Sequence, residues 1–201
     1  KGKMKKGNYK SLKFNEEEHR YFYGEKEMFG VTGVISSLQN LQYGESSIVS
    51  LAQSYGSQVH KEVENCLNVG GLPVTESGKY VMSVLESKAR ETTIFRGEVL
   101  VSDFESTVSS IDIVQWEPGG VILYDIKTGE FKREYCTLQL NAYRRMYENT
   151  FNEKVKGMFV INTKDKRVYK ILACEDVKTD VIFNRNKDKK FQSEKCLLCL
   201  E

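Results

Sequence analysis

A chain of 201 residues, 40% hydrophobic and 29% charged, is ordinary for a globular protein and long enough to bury a sizeable core. Thirty basic against 28 acidic residues leave a formal charge of +2, which neither demands nor excludes a nucleic-acid partner. No apolar run approaches the roughly 20 residues that span a bilayer, and the basic N-terminus has no apolar core of a signal peptide, so a cytoplasmic protein without a membrane partner is expected.

Residues 14–24 read as a hairpin, Phe14 leading into the polar turn Asn15-Glu16-Glu17-Glu18 and His19-Arg20-Tyr21-Phe22-Tyr23 returning. Residues 30–35 form a short apolar segment that can open a helix. A helix is predicted over 48–69, because Val49, Ala52, Val59, Val63, Cys66 and Leu67 recur at three- and four-residue steps before Gly70-Gly71. Gly56 inside it costs about 1 kcal/mol against alanine, which points to a close approach of something to the backbone there. A second helix is predicted over 76–91.

The period then changes. Residues 93–101, 108–115 and 121–127 are rich in β-branched and apolar side chains, and Glu117-Pro118-Gly119-Gly120 is a strong turn signal. The runs 111–116 and 121–126 should therefore be adjacent antiparallel strands. A helix over 137–150, strands over 155–162 and 167–174, and a helix from Glu175 onward follow. The expectation is an α/β fold, a mixed sheet flanked by helices. With two prolines and no linker-like stretch, a single domain over 1–201 is expected.

The lysines at positions 1, 3, 5, 6, 10 and 13, and the basic stretch Arg185, Lys187, Lys189, Lys190, read as solvated tails. Five cysteines (66, 136, 174, 196, 199) without a secretion signal do not make a disulfide framework. Cys196 and Cys199 have the spacing of a metal-binding pair, but four ligands are needed and there is no second pair.

Strand alternation puts Asp125 and Lys127 on one face with Ile126 opposite, and the turn brings Asp112 near Asp125. Two carboxylates and an ammonium at the end of an apolar strand need each other or a ligand. They suit a hard cation, Mg²⁺ or Mn²⁺, held against a phosphodiester, with Lys127 orienting a water and the Ile126 carbonyl as a further oxygen ligand. A surface Asp–Lys pair worth roughly 0–1 kcal/mol explains an Asp-x-Lys triplet equally well by itself.

Several segments together resemble one family. Ser110-Ile111-Asp112-Ile113-Val114, Tyr124-Asp125-Ile126-Lys127-Thr128-Gly129 and Leu138-Gln139-Leu140-Asn141-Ala142-Tyr143 resemble the RecB-like branch of the PD-(D/E)XK nucleases. So do Gly56-Ser57-Gln58-Val59-His60-Lys61-Glu62-Val63-Glu64 and Arg96-Gly97-Glu98-Val99, with a weaker echo in His19-Arg20-Tyr21 and Val31-Thr32-Gly33-Val34-Ile35. The resemblance implies a restriction-endonuclease-like core. It makes Asp112 and Asp125 metal-binding carboxylates, Lys127 the catalytic lysine, and Glu98 an acidic residue supporting the metal or the water. His60 would approach the metal from its helix, with Glu64 one turn behind. Gln139 and Tyr143 would border the active site and contact DNA phosphate. Each has a plainer alternative: His60 a satisfied helix histidine, Glu98 an exposed strand carboxylate, Tyr143 a core residue, Gln139 a brace for Lys127 or Asp125.

Some members of that branch hold an iron–sulfur cluster on one upstream cysteine and three near the C-terminus. Here only Cys196 and Cys199 occupy the tail and no cysteine precedes the His60 helix, so a complete cluster is not expected. The resemblance implies a Mg²⁺- or Mn²⁺-dependent deoxyribonuclease in a bacterial or phage-infected cell. Its size is similar to that of phage-type stand-alone exonucleases, which act on ends of double-stranded DNA in recombination or repair, beside a single-strand annealing protein or a helicase. An endonuclease with the same site, an inactive nuclease-fold DNA-binding protein, and a structural or small-ligand domain are the alternatives.

Overall fold

The computed structural model describes residues 4–38 and 47–188. Three short strands, β1 (Leu12–Asn15), β2 (Arg20–Tyr23) and β3 (Lys26–Met28), form a small antiparallel sheet. The expected hairpin is β1–β2. The third strand was not expected; it follows because Gly24, at φ 61, reverses the chain at once and the bidentate Arg20–Glu27 pair (2.8 Å for each bond) ties β2 to β3. Helix α1 (Val31–Leu38) starts where the apolar segment suggested.

Helices α2 (Ser47–Val69) and α3 (Glu76–Glu86) precede the central strands β4 (Ile94–Ser102), β5 (Val108–Glu117) and β6 (Gly120–Lys127). Helix α4 (Arg133–Phe151) crosses to β7 (Val155–Asn162), and β8 (Arg167–Ile171) and α5 (Asp176–Asp188) follow. The central sheet runs β4-β5-β6-β7-β8. Within it only β6 and β7 pair in parallel, and theirs is the connection that carries a crossover helix. Glu117 pairs with Gly120, so Pro118-Gly119 closes the β5–β6 hairpin as read from the sequence. Gly120 sits at φ 144 with the Lys154 carbonyl 3.0 Å from where a Cβ would be, so glycine is required there.

Both faces of the sheet are covered. Val59, Val63, Val81 and Leu85 from α2 and α3 pack on Ile113, Tyr124 and Ile126. On the other face Leu140, Ala142, Met146 and Tyr147 of α4, with Val34 and Ile35 of α1 and Ile182 of α5, pack on Val99, Ile111 and Leu123. Each large aliphatic side chain so buried contributes roughly 1.5–3 kcal/mol. The expected α/β class, a mixed sheet flanked by helices, is what forms. No helix among the described residues is long and apolar enough to cross a membrane.

Several boundaries differ from expectation for local reasons. Helix α3 ends at Glu86, not 91, because Ser87 and Lys88 are exposed and the chain tightens through Lys88 N–H to Leu85 O (2.9 Å). Helix α4 starts at Arg133, not 137; Cys136, 1% exposed, already belongs to its buried stripe. Strand β8 stops at Ile171 because the Asn141 side chain takes over the next backbone groups, donating to Leu172 O (3.0 Å) and accepting from Cys174 N–H (2.9 Å). The basic ends are not all solvated: Lys5 (3.3 Å) and Lys187 both pair with Glu105, and Lys6 donates to Asn149 O (2.8 Å). Lys1, Lys3, Lys189, Lys190, Cys196 and Cys199 lie outside the described residues.

Candidate functional site

Asp112 stands where β5 and β6 part. Their pairing runs inward from the hairpin only to Ile113 opposite Tyr124. Beyond it the Asp112 Oδ2 accepts the Ile126 N–H at 2.6 Å, a side chain standing in for the missing ladder acceptor. Asp125 and Lys127 share a face, as alternation required. Lys127 Nζ lies 3.0 Å from Oδ1 and 2.8 Å from Oδ2 of Asp125, which is 1% exposed. The same ammonium donates to Gln139 Oε1 (3.1 Å), and Gln139 Nε2 donates to the Tyr143 hydroxyl (3.0 Å) one turn along α4.

Strand β4 delivers Glu98 opposite Asp112, between the pairs Gly97–Ile113 and Val99–Ile111. Glu98 has φ 53, a left-handed conformation that a side-chain-bearing strand residue adopts only under constraint. The constraint is visible. A Cβ on Gly97 would lie 2.9 Å from Glu64 Cα, so β4 runs against the backbone of α2. Asn68 closes the contact at both ends, donating to Gly97 O (3.1 Å) and accepting from Gly97 N–H (3.0 Å). His60, Glu64 and Asn68 are spaced by four on one helix face, so this clamp fixes His60 relative to Glu98.

His60 Nδ1 is 3.4 Å from Asp112 Oδ1. Ligand atoms of His60, Glu98 and Asp112 all lie within 4.8 Å of one another. Asp125 is outside that group, against Lys127. Glu64 is ion-paired to Lys61 at 3.0 Å. Lys61 also reaches Glu16 in the β1–β2 turn (2.6 Å), which straps the hairpin to α2.

The electrostatics are those of crowded like charges. Burial and the Asp112 charge push the Glu98 carboxyl up to about 7. Burial, against the pull of Lys127, pushes Asp125 up to about 6, with Asp112 adding to the rise. For Asp112 burial also acts upward, but His60, Lys127 and the Ile126 N–H win, leaving its carboxyl below the usual range. Burial disfavours the His60 imidazolium, yet Asp112 and Asp125 outweigh it and carry the group to about 9. Burial likewise opposes the Lys127 ammonium, and Asp125 and Asp112 more than offset it, so it holds its proton at neutral pH. Burial, with Glu98 and Asp112, lifts the Tyr21 phenol to about 12.

These groups line one cleft of ≈ 880 Å³ between the small sheet, α2 and the end of the central sheet. Every residue singled out from the sequence in this region is in its wall except Ile126, whose amide holds Asp112 and whose side chain is buried with α2 and α3, and Tyr143 lies at its base, 4% exposed. Gln139 does brace Lys127. Gly56 approaches Thr128, whose Oγ1 would be 3.2 Å from an added Cβ, which is the close approach its place in a helix implied. Asn68, Lys61 and Tyr21 were not foreseen. Lys61 and Tyr21 stand in segments that carry the resemblance without a role of their own, and Asn68 left only its spacing, an amide eight residues after His60 on the same face.

No family model matches the chain, and no curated protein matches it. Similar solved structures include one of a putative exonuclease from Eubacterium rectale, 12% identical with a TM-score of 0.40, covering 85% of this chain and 80% of that one. Another is of a protein designated SSO0001, 16% identical with a TM-score of 0.37, covering 88% and 84%. These likenesses are remote in sequence and in fold.

Proposed function

We propose that the protein is a metal-dependent deoxyribonuclease that hydrolyses phosphodiester bonds of DNA. One observation carries this: His60, Glu98 and Asp112 converge within 4.8 Å, with the protonated Lys127 in the same cleft. The donor set fits a divalent ion. Two carboxylates held together at the cost of a raised Glu98 pKa and a strained backbone lack a balancing positive charge beyond His60 among the described groups that ligate. Carboxylate oxygens suit Mg²⁺ or Mn²⁺, and the imidazole favours Mn²⁺ of the two.

His60, Glu98 and Asp112 would hold the ion, with Asp125 and the Ile126 carbonyl as further oxygen donors. A divalent cation supplies a Lewis acid for the phosphate and makes water acidic enough to attack near neutral pH. Lys127 keeps its proton, so it serves by charge and orientation, facing the phosphate and the attacking water, not as a general base. Gln139 aims Lys127, and Tyr143 aims Gln139. Water adds to phosphorus as the bond to the leaving oxygen breaks, and the proton released ends on that leaving group or in solvent.

The sequence resemblance supports the finer reading, an exonuclease acting at ends of linear double-stranded DNA in recombination or repair, in the cytoplasm of a bacterial or phage-infected cell, with an annealing protein or helicase as partner. The test is digestion of linear and covalently closed duplexes with Mg²⁺, Mn²⁺ or EDTA. Linear DNA should be degraded only with metal, and Asp112→Ala or Lys127→Ala should bind DNA without cutting. Equal cutting of closed circles replaces the exonuclease with an endonuclease. Binding without cutting by the wild type replaces both with a DNA-binding protein.

A further inference from the structure

Three rings of the small sheet stand in the wall of the same cleft. Phe14 stacks on Tyr21 (centroids 4.7 Å apart, planes at 30°), and the His19 ring stands beside Phe14 at right angles to it (5.2 Å, 85°). His19 is exposed, and Phe14 and Tyr21 are half-buried. Phe14 and His19 do not fill the core of their sheet. That core is Leu12, Met28, Phe104 and Val108, with Tyr21 and Tyr23 against it, and neither Phe14 nor His19 belongs to it.

The rings are held in place. Tyr21 is backed by Gly30, where a Cβ would sit 3.5 Å from the ring. The Asn15 side chain closes the turn by accepting from Glu18 N–H (3.1 Å), and His19 takes φ 52 with its ring beside Phe14. The Lys61–Glu16 strap (2.6 Å) ties the turn to the helix that bears His60. Of the acidic residues in the turn, Glu16 is paired with Lys61 and Glu18 with Arg20 (3.1 Å), and Glu17 is exposed; Lys13 lines the cleft beside the Lys61–Glu16 pair.

From this arrangement we infer that the Phe14 ring, with His19 standing at right angles beside it, forms a stacking platform for an unpaired nucleobase, so that the strand entering the cleft is single-stranded at its end. This rests on the nuclease reading above. Within a duplex the faces of the bases are covered by their neighbours, and only an unpaired base offers a π face to a protein ring. Tyr21 continues the ring group inward to Glu98 and Asp112, so a base on the platform lies at the rim of the cleft and its phosphate toward the carboxylates. Stacking tolerates any base, so the platform selects unpaired strands without selecting a sequence.

The test crosses protein and DNA variants. Affinity is measured by fluorescence anisotropy, in Ca²⁺ and again in EDTA, for duplexes with a blunt end, with a short single-stranded overhang, and with the same overhang carrying an abasic site. The wild type should bind the intact overhang roughly tenfold more tightly than the abasic one, the size of one base–ring stack. Phe14→Leu should bind both alike, and Phe14→Trp should keep the discrimination. The wild-type comparison is read without any variant, so a Phe14→Leu chain that fails to fold does not remove the test.

Equal binding of intact and abasic overhangs by the wild type, or the same discrimination in Phe14→Leu, overturns the platform. A protein that cuts linear DNA with Mn²⁺ yet shows no such discrimination loses the platform and keeps the hydrolytic function. One that discriminates through Phe14 and never cuts keeps the platform and loses the hydrolytic function.

Discussion

Replacing Glu98 by glutamine should stabilise the metal-free protein and destroy its response to metal. Burial and Asp112 raise the Glu98 carboxyl from an ordinary 4.5 to about 7. An acid whose folded pKa lies above its unfolded value weakens the fold as pH rises. The cost is absent below about pH 4.5, grows between there and pH 7, and is complete above. Taken alone, a displacement of that size corresponds to about 3 kcal/mol at pH 8. His60 and Asp112 share in the balance, so about 2 kcal/mol is the working figure, or roughly 4–8 °C in Tm for a chain of this size. Glutamine keeps the shape and the strained φ and removes only the charge. In EDTA at pH 8, Glu98→Gln should melt above the wild type, and at pH 4.5 the two should coincide. With Mn²⁺ at a hundred times its Kd the wild type should gain about 2.7 kcal/mol, and the variant little, so the order inverts. Thermal unfolding followed by circular dichroism reads all of these conditions. A Glu98→Gln variant no more stable than the wild type in EDTA at pH 8 refutes the argument that the carboxylates are crowded for a ligand.

Lys127→Met should unfold at lower denaturant by an amount on the order of 3 kcal/mol, because it strands the buried Asp125 carboxylate, and Asp125→Asn in the same chain should return most of that loss without returning activity; equilibrium urea unfolding checks it. Gly97→Ala should cost about 1–3 kcal/mol, since the new Cβ meets Glu64 backbone at 2.9 Å, and it should weaken Mn²⁺ affinity in calorimetry by moving Glu98 from His60. His60→Gln should narrow the advantage of Mn²⁺ over Mg²⁺ in the concentration needed for half-maximal cutting, because the nitrogen donor is what separates the two ions. An unchanged metal ratio would remove His60 from the ligand set.

The central hairpin was legible because its signals are local. Pro118-Gly119-Gly120 marks the reversal, the pleat assigns Asp125 and Lys127 to one face, and the antiparallel pairing follows from the turn length. His60 and Glu98 carry no such local signal. They come from a helix and a strand more than ten residues from Asp112 in the chain, and only the family resemblance grouped them with it. What resemblance could not supply is the partition of the charges. Which carboxylate faces the lysine and which faces the imidazole depends on the separation of β5 and β6 beyond Ile113, a tertiary outcome of how α2 lies on β4. The left-handed Glu98 is of the same kind, since nothing in Arg96-Gly97-Glu98-Val99 asks for it until Asn68 grips Gly97 from another element. The helix boundaries slipped at α3 and α4 where polar residues diluted the period, which is where periodicity carries least information.

That partition explains why the cleft holds two chemically different halves. Both oxygens of Asp125 lie within 3.0 Å of the Lys127 ammonium, which also donates to Gln139, so this carboxylate has its countercharge beside it. The other half sets Glu98 and Asp112 against one imidazole, and between about pH 7 and pH 9 two negative charges meet one positive. A site evolved only for stability would not buttress that imbalance with a backbone clamp and a left-handed residue, because neutralising Glu98 would relieve both burial and repulsion. The stability sacrificed at Glu98 and the ion pair kept at Lys127 are therefore two parts of one arrangement. One half is left wanting positive charge, and the other holds a fixed positive charge at its side for an anionic group bound between them.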